Sequence, residues 1–556
     1  MRLLLHLPLI VILAGIGALA MVLPGLYAHA LESHKIGSIF LGAAGLFVIL
    51  AAILGLATAN RPEGSQSRSV LLTMLGTMVL LPAMLAVPFA LALPDTGFFN
   101  AWWEMISCLT TTGASLYSAD LLPAPLHLWR ALVGWMGGLF MLVAAIALLA
   151  PLRVGGFEIM SSPYGRSERY ERLPPSADGW GDAGHLSHPA FQMELADPAH
   201  RVMRAGRVVL PVYAGLTLLM WTLLLMLGEP GLVALTRAMG TLSTSGISPV
   251  DGPAGQGSGV TGEMVIFLFL IPALSRRFWP GGGELKASES WAGDPELRMA
   301  AVVVLLVSVV LFARHFVGAI GVSPTGVQGG AVKLDSAISA AWGGLFNGLS
   351  YLTTTGWNSV EWQGARNWSG LSSPGLMLAG LAMMGGGVAT TAGGVKLLRV
   401  YALARHSERE LERIVHPSSV GGGGLMARRL RREGAYLAFI FFMLFASSIA
   451  VTVMLISLQR VEFEFGDHPV DRGAQQHRAV GRGHSAGPDI PGLCRHGGRA
   501  MGRLGGVAGA DQGGAGRGNG RRPGRDSGDP GAVFARILAA LGKIICLHAA
   551  VCSPKS

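Results

Sequence analysis

The sequence predicts an all-α polytopic membrane protein made of repeated span–turn–span units. Three observations carry this. Of 556 residues, 51% are hydrophobic and only 14% charged, against about 25% charged in soluble domains, and the mean hydropathy is +0.48. Apolar runs of membrane-spanning length recur along the chain. A short Ser/Thr-rich turn ending in Gly occurs three times between such runs. A soluble enzyme and a disordered chain are excluded by composition, and four cysteines exclude a disulfide scaffold. The net charge of +10 does not signal nucleic acid, because most Lys and Arg stand between apolar runs.

The runs predict spans near Leu4–Tyr27, Ile36–Ala59, Val70–Leu93, Leu128–Leu152, Val208–Leu227, Met264–Leu274, Ala300–Phe312, Gly375–Gly387 and Ala435–Leu458. The first lacks a small-residue cleavage site and more spans follow, so it reads as an anchor rather than a signal peptide. The sixth and eighth are short or Gly-rich. Such broken segments are tolerated at membrane depth only where protein or a water-filled path surrounds them. Basic residues orient the chain. Arg61 and Arg68, the loop from Arg153 to Arg207, Arg276 and Arg277, and the stretch from Arg399 to Arg432 mark cytoplasmic loops. The loops around Asp95, Ala119–Pro125 and Pro249–Gly262 carry almost no basic residues and read as external; Arg314, Lys333 and Arg366 fit this scheme less well.

The repeat carries the chemistry. Each copy is a span, a short amphipathic helix, a turn and a second span. The turns align as Thr110-Thr111-Thr112-Gly113, Ser243-Thr244-Ser245-Gly246 and Thr353-Thr354-Thr355-Gly356. A dehydrated alkali cation must exchange water for several oxygens, and backbone carbonyls aimed at one axis supply them. Gly permits the positive φ that such a segment needs. Ser and Thr add hydroxyls that hold the turn. One TTTG alone is an ordinary turn. Three copies, each after an amphipathic helix and between spans, are a pattern. The candidate ion-coordinating residues are therefore Thr111, Thr112, Gly113, Thr244, Ser245, Gly246, Thr354, Thr355 and Gly356.

These stretches, with LWRALVGWMGGL at Leu128–Leu139 and GGGVATTAGGVKLLR at Gly385–Arg399, resemble the Trk/Ktr/HKT superfamily of potassium transporters, most closely the bacterial Trk potassium-uptake membrane subunit. The resemblance covers about residues 1–465. It implies span–pore-loop–span units around one pseudo-fourfold pore, preceded by two extra spans, and potassium uptake across the bacterial inner membrane without enzymatic activity. It implies no cofactor beyond potassium as substrate, contact with membrane lipid, a homodimer, and a cytosolic nucleotide-binding regulatory subunit on the cytoplasmic loops, with no nucleic acid. It also implies that the third unit's second span breaks into a gating loop carrying Gly385, Gly386, Gly387, Gly393, Gly394 and Lys396. Half of Gly385–Gly394 is Gly, a poor helix former, so the segment is expected to be mobile. It is not a phosphate loop, because Lys396 is followed by Leu397 and no strand precedes it. Filter spacing leaves sodium-selective or sodium-coupled transport open. The expected organisation is two spans in 1–66, a first pore unit in 67–157, a cytoplasmic loop in 158–206, a second unit in 207–290 and a third with the gating loop in 291–415. A linker and the fourth unit's first span occupy 416–465, and a tail fills 466–556.

That tail disrupts the fourth unit. From Gly466 to about Pro530 the composition turns to Gly and Arg, with no span and no filter. The genetic code offers an explanation. Read from the second nucleotide of each codon, Asp467–Val480 allow IILSIAALSNTGP, an apolar helix followed by a filter-like SNTGP. Met501-Gly502 force a Trp codon, and Asn519–Ala540 allow MVVGRVEILAILALFSPEFWR. A frame change between about Val461 and Gly466 is therefore expected, with an out-of-frame tail. The alternative to a frame change is a disordered cytoplasmic tail, and the frame change itself opens a second reading of function, a truncated, non-conducting product of a frame-shifted gene. The spacing of His468, His477, His484 and His496 fits no standard metal pattern.

Overall fold

The computed structural model describes residues 9–58, 66–94, 96–150, 198–280, 294–322, 334–362, 375–416 and 432–457. All of them belong to one unit, Met1–Gly466 with Pro530–Ser556. The other unit, Asp467–Asp529, and the whole expected tail 466–556 lie outside the described residues, as does most of the loop 158–206.

Every regular element among the described residues is helical. Helices α1 (Leu9–Ala20) and α2 (Val22–Ala30) together make one candidate span, Leu9–Ala30, where one was expected, and α3 (His34–Thr58) follows. The break between α1 and α2 has a local cause. Pro24 has no N–H for the carbonyl of Ala20, and its ring crowds that carbonyl, so α1 ends there. Three units come next. The first is α4 (Gln66–Ala92), α5 (Phe98–Leu109) and α6 (Ala124–Ala144). The second is α7 (Pro198–Met226), α8 (Gly231–Leu242) and α9 (Gly259–Leu270). The third is α10 (Pro295–Val322), α11 (Leu334–Leu352) and α12 (Gly375–Met384). Helix α13 (Leu397–Val415) is strongly amphipathic and has no counterpart among the apolar runs; α14 (Arg432–Ser457) closes the described chain.

One helix runs past its apolar stretch because its polar end is capped. Helix α10 starts at Pro295 rather than near Ala300. The Asp294 carboxylate accepts the N–H of Glu296 at 2.9 Å, and Pro295 takes the first helical position, where a missing N–H costs nothing.

Helix α6 is the centre of the bundle. Its span window is 78% buried inside the chain, against 22% for α3 and 17% for α14. Leu46, Ile49, Ile53 and Leu56 on α3 are exposed, an apolar surface suited to lipid. Central position demands close approach. A Cβ on Gly137 would collide with the carbonyl oxygen of Leu109, and one on Gly138 would lie 2.7 Å from the Tyr213 hydroxyl. The glycines thus let α5 rest on α6 and bring α7 and the end of α8 against it. The Trp135 indole donates to Thr217 Oγ1 at 2.9 Å, fastening the first unit to the second. Buried Trp129 donates to the carbonyl of Leu85 at 3.2 Å, fastening α6 to α4.

Gly137→Ala should destabilise the protein by about 1–3 kcal/mol through overpacking. Gly45 on α3 has open space around it, so Gly45→Ala should be neutral or slightly stabilising. Thermal unfolding of both variants in detergent checks the contrast; equal melting temperatures would remove α6 from its central place.

Candidate functional site

The three turns have one construction. Thr112 and Gly113 both donate their N–H to the carbonyl of Ser107, at 2.8 and 3.3 Å. Ser245 and Gly246 do the same to Gly240, at 2.9 and 3.1 Å, and Thr355 and Gly356 to Ser350, at 3.0 and 3.3 Å. In a trans peptide the carbonyl points opposite to the N–H. The carbonyls of Thr111, Thr112, Thr244, Ser245, Thr354 and Thr355 therefore point away from their helices. The backbone achieves this with φ of +55° at Thr111, +52° at Thr244 and +58° at Thr354, and +72°, +62° and +78° at Gly113, Gly246 and Gly356. Positive φ is uncommon for Thr, and its recurrence at one position in all three turns marks a retained strain of the kind found at functional sites.

Hydroxyls lock the turns. Thr110 bonds Thr112 at 2.7 Å, Ser243 bonds Ser245 at 2.8 Å, and Thr353 bonds Thr355 at 3.0 Å, each oxygen to oxygen. Thr110, Ser243 and Thr353 also donate back to their own helix, to Ile106, Met239 and Leu349. Two turns meet directly, since a Cβ on Gly113 would collide with the carbonyl oxygen of Ser245. The third turn joins the second through the Trp357 indole, which donates to Thr241 Oγ1 at 3.2 Å.

Three polar residues brace the returning chain, and sequence reasoning missed them. Glu104, Arg237 and Asn347 hold the same position relative to the glycines of the three turns. Glu104 Oε2 accepts the N–H of Leu116, and Asn347 Oδ1 accepts that of Ser359, both at 3.0 Å. The second unit has Pro249 at the matching place and so no N–H to offer. Its helix instead carries a donor: Arg237 pairs with buried Glu229 and reaches the carbonyl of Pro253 at 3.4 Å. Glu104 also pairs with Arg130 at 2.7 Å. Both pairs are buried, where breaking one partner leaves an uncompensated charge. Buried Glu263 on α9 accepts from the Trp342 indole at 2.9 Å, the Ser359 hydroxyl at 2.6 Å and the N–H of Val360, tying the second unit to the third turn. Aligning the three repeats, rather than reading each alone, exposes the bracing position.

The Gly-rich segment after α12 lies against the turns. Gly393 donates its N–H to Thr354 Oγ1 at 2.7 Å, and Thr391 Oγ1 donates to the carbonyl of Leu242 at 3.2 Å. Gly387 donates to Ala273 at 3.1 Å. The neck closes on itself, with Gly386 donating to Gly393 at 3.3 Å and Leu397 to Gly386 at 3.0 Å. The expected slack loop is thus buried and hydrogen-bonded. Its glycines answer to space: a Cβ on Gly385, Gly387 or Gly394 would strike backbone of Gly393, Leu274 or Gly385. Lys396 holds φ +86° and donates its ammonium to the carbonyl of Ala392. Among the described residues no group of three or more His, Cys, Asp or Glu side chains is arranged to hold a metal.

Among the described residues the fold is helical throughout, with apolar helices that fit a multi-pass membrane protein and a turn built the same way three times. A family described as TrkH, cation transport protein, matches residues 264–467. The chain is 26% identical over 447 residues to the Trk system potassium uptake protein TrkH of Salmonella typhimurium, covering 78% of this chain and 82% of that one. It is 25% identical over 421 residues to the protein of that name from Escherichia coli K12, covering 74% and 77%. The crystal structure of the potassium transporter TrkH from Vibrio parahaemolyticus shares its fold, with TM-score 0.59 and 21% identity over 81% of this chain and 85% of that one. In sequence this chain is similar to the Trk potassium uptake proteins, and in fold it is similar to the solved TrkH structure.

Asn347→Ala should loosen the third turn and destabilise the protein by about 1–3 kcal/mol, because it leaves the buried N–H of Ser359 without its acceptor. Asn347→Gln keeps an uncharged amide acceptor there and should lose less. Chemical or thermal unfolding of both variants in detergent decides; equal losses would show that the acceptor is not what matters.

Proposed function

We propose that this chain, with its fourth sector restored from the alternative reading frame, is the membrane subunit of a potassium-uptake system in the bacterial inner membrane, and that the three turns form three sectors of its ion filter. The observation that carries this is the shared turn geometry. Six carbonyls, two from each turn, face away from their helices, and the first turn abuts the second. Oxygens so arranged can replace the hydration shell of a potassium ion without side-chain charge. The relatives' names as potassium uptake proteins point to the same ion. The Gly385–Gly394 segment acts as the gate, since it sits against Thr354 and the end of α8. The same proposal includes a second copy of the chain and a cytosolic nucleotide-binding subunit on the cytoplasmic loops.

The fourth sector is supplied by the alternative reading frame. The family match ends at residue 467, where the composition turns to Gly and Arg. With three sectors, the open side would leave filter backbone facing lipid, at several kcal/mol per unsatisfied group. The chain as written should therefore not conduct potassium.

Two experiments test these readings. Restoring the second frame by a one-nucleotide change near Phe465 should rescue growth of potassium-uptake-deficient cells on low potassium, whereas the chain as written should not. Rescue by a resequenced, unaltered chain would overturn the frame reading. In the restored protein, Gly113→Ser, Gly246→Ser and Gly356→Ser should each cripple uptake or erode preference for potassium over sodium, because a side chain opposes the left-handed φ and crowds the turn. Unchanged uptake and unchanged preference in all three would remove the turns from the ion path. A parent protein that prefers sodium would establish the sodium-transporting alternative.

A further inference from the structure

A buried carboxylate at the start of α10 touches the proposed gate. Asp294, as N-cap, fixes the first turn of α10 and so fixes Glu296. The other Asp294 oxygen accepts the Ser275 hydroxyl at 2.7 Å and faces Arg277 at 3.9 Å, anchoring this turn to the chain beyond α9. Glu296, only 4% exposed, then presents Oε1 to the N–H of Val388 at 2.8 Å. Arg276, Asp294 and Lys396 are the charged groups around it. Val388 and Ala389 pack into a buried cluster with Met74, Phe140, Leu148, Leu398 and Ala438. The Gly-rich segment is thus held near both ends: Gly393 by Thr354 of the third turn, and Val388 by Glu296.

We propose that Glu296 is a latch, a positioning residue that holds the Gly385–Gly394 segment beneath the turns through its acceptor oxygen on the Val388 N–H. The proposal rests on reading the turns as the ion path and the segment as its gate. A charged acceptor makes the stronger kind of hydrogen bond, and withdrawing it leaves a buried N–H unsatisfied. Because Asp294 ties Glu296 to the N-terminus of α10, a shift of that terminus withdraws the acceptor and frees the segment. Charge strengthens the latch, but the placed oxygen is what makes it. An uncharged side chain with the same oxygen should therefore serve.

The test uses a cysteine reporter, Ala389→Cys, in the full chain and in its frame-restored counterpart, with Cys108 and every other native cysteine of each version replaced by Ala (Cys494, Cys546 and Cys552 in the chain as written). Inside-out vesicles are treated with a water-soluble maleimide, and the labelling rate is measured. Glu296→Leu should raise the rate about tenfold or more, as expected for loss of a hydrogen bond to a charged group. Glu296→Gln should stay within about threefold of the parent, since it keeps a carbonyl acceptor. An unchanged rate in the Leu variant overturns the latch, and so does a Gln variant that labels as fast as Leu. If the Leu variant does not fold, Val388→Pro removes the N–H from the other side and should raise the rate equally; no rise overturns the proposal. In the frame-restored protein Glu296→Leu should also raise potassium flux with its preference over sodium unchanged, which a damaged filter would not show. The expected labelling pattern without flux in any version supports the latch and overturns the ion-path reading. Flux without the labelling pattern overturns the latch alone.

Discussion

The structure depends on a saturated set of N–H groups. In each turn two successive N–H groups converge on one helix carbonyl, Ser107, Gly240 or Ser350. That choice leaves the carbonyls of the same peptides facing the other way, buried at membrane depth. A buried carbonyl needs a partner, and a bilayer offers no free water. In the proposed function, a desolvated cation is a ligand that several of these carbonyls can share. The strain at Thr111, Thr244 and Thr354 is what this arrangement costs. The hydroxyl pairs and the braces at Glu104, Arg237 and Asn347 are what hold it.

Close backbone approach explains much of the remaining sequence. Gly137 and Gly138 let helix ends rest on α6, and the glycines after α12 let the segment fold back on itself and against Ala273 and Leu274. Bulk in these places would push the turns apart. The buried ion pairs Glu104–Arg130 and Glu229–Arg237 serve orientation more than net stability, because desolvation offsets most of their attraction. Glu263 carries the same logic between units, since its three donors come from α11 and from the chain leaving the third turn.

Much of the fold was legible because hydropathy is a one-dimensional signal. The apolar runs located helices, six of which among the described residues are long and apolar enough to cross a membrane, and the threefold TTTG-like repeat located the turns, since Gly at a positive φ leaves a trace in sequence. Other features leave weaker traces. The break between α1 and α2 was readable from Pro24, but the continuous apolar run concealed it. The left-handed Thr in each turn was not readable, because Thr normally avoids that region. The braces were hidden because Glu, Arg and Asn at one repeat position share no chemistry until Pro249 is seen to remove the donor in the second unit. The contact of Glu296 with Val388 joins segments far apart in the chain, which no local pattern reports. The glycines of Gly385–Gly394 carried a signal with two meanings, mobility or close packing, and only the fold distinguishes them.

The account's central claim is that the outward carbonyls of the three turns coordinate a cation together. Anomalous diffraction from crystals of the frame-restored protein grown with thallium in place of potassium tests it most directly. The account predicts anomalous density on the axis faced by the carbonyls of Thr111, Thr112, Thr244, Ser245, Thr354 and Thr355. Well-ordered turns with no density there, and thallium bound elsewhere in the bundle, would contradict it.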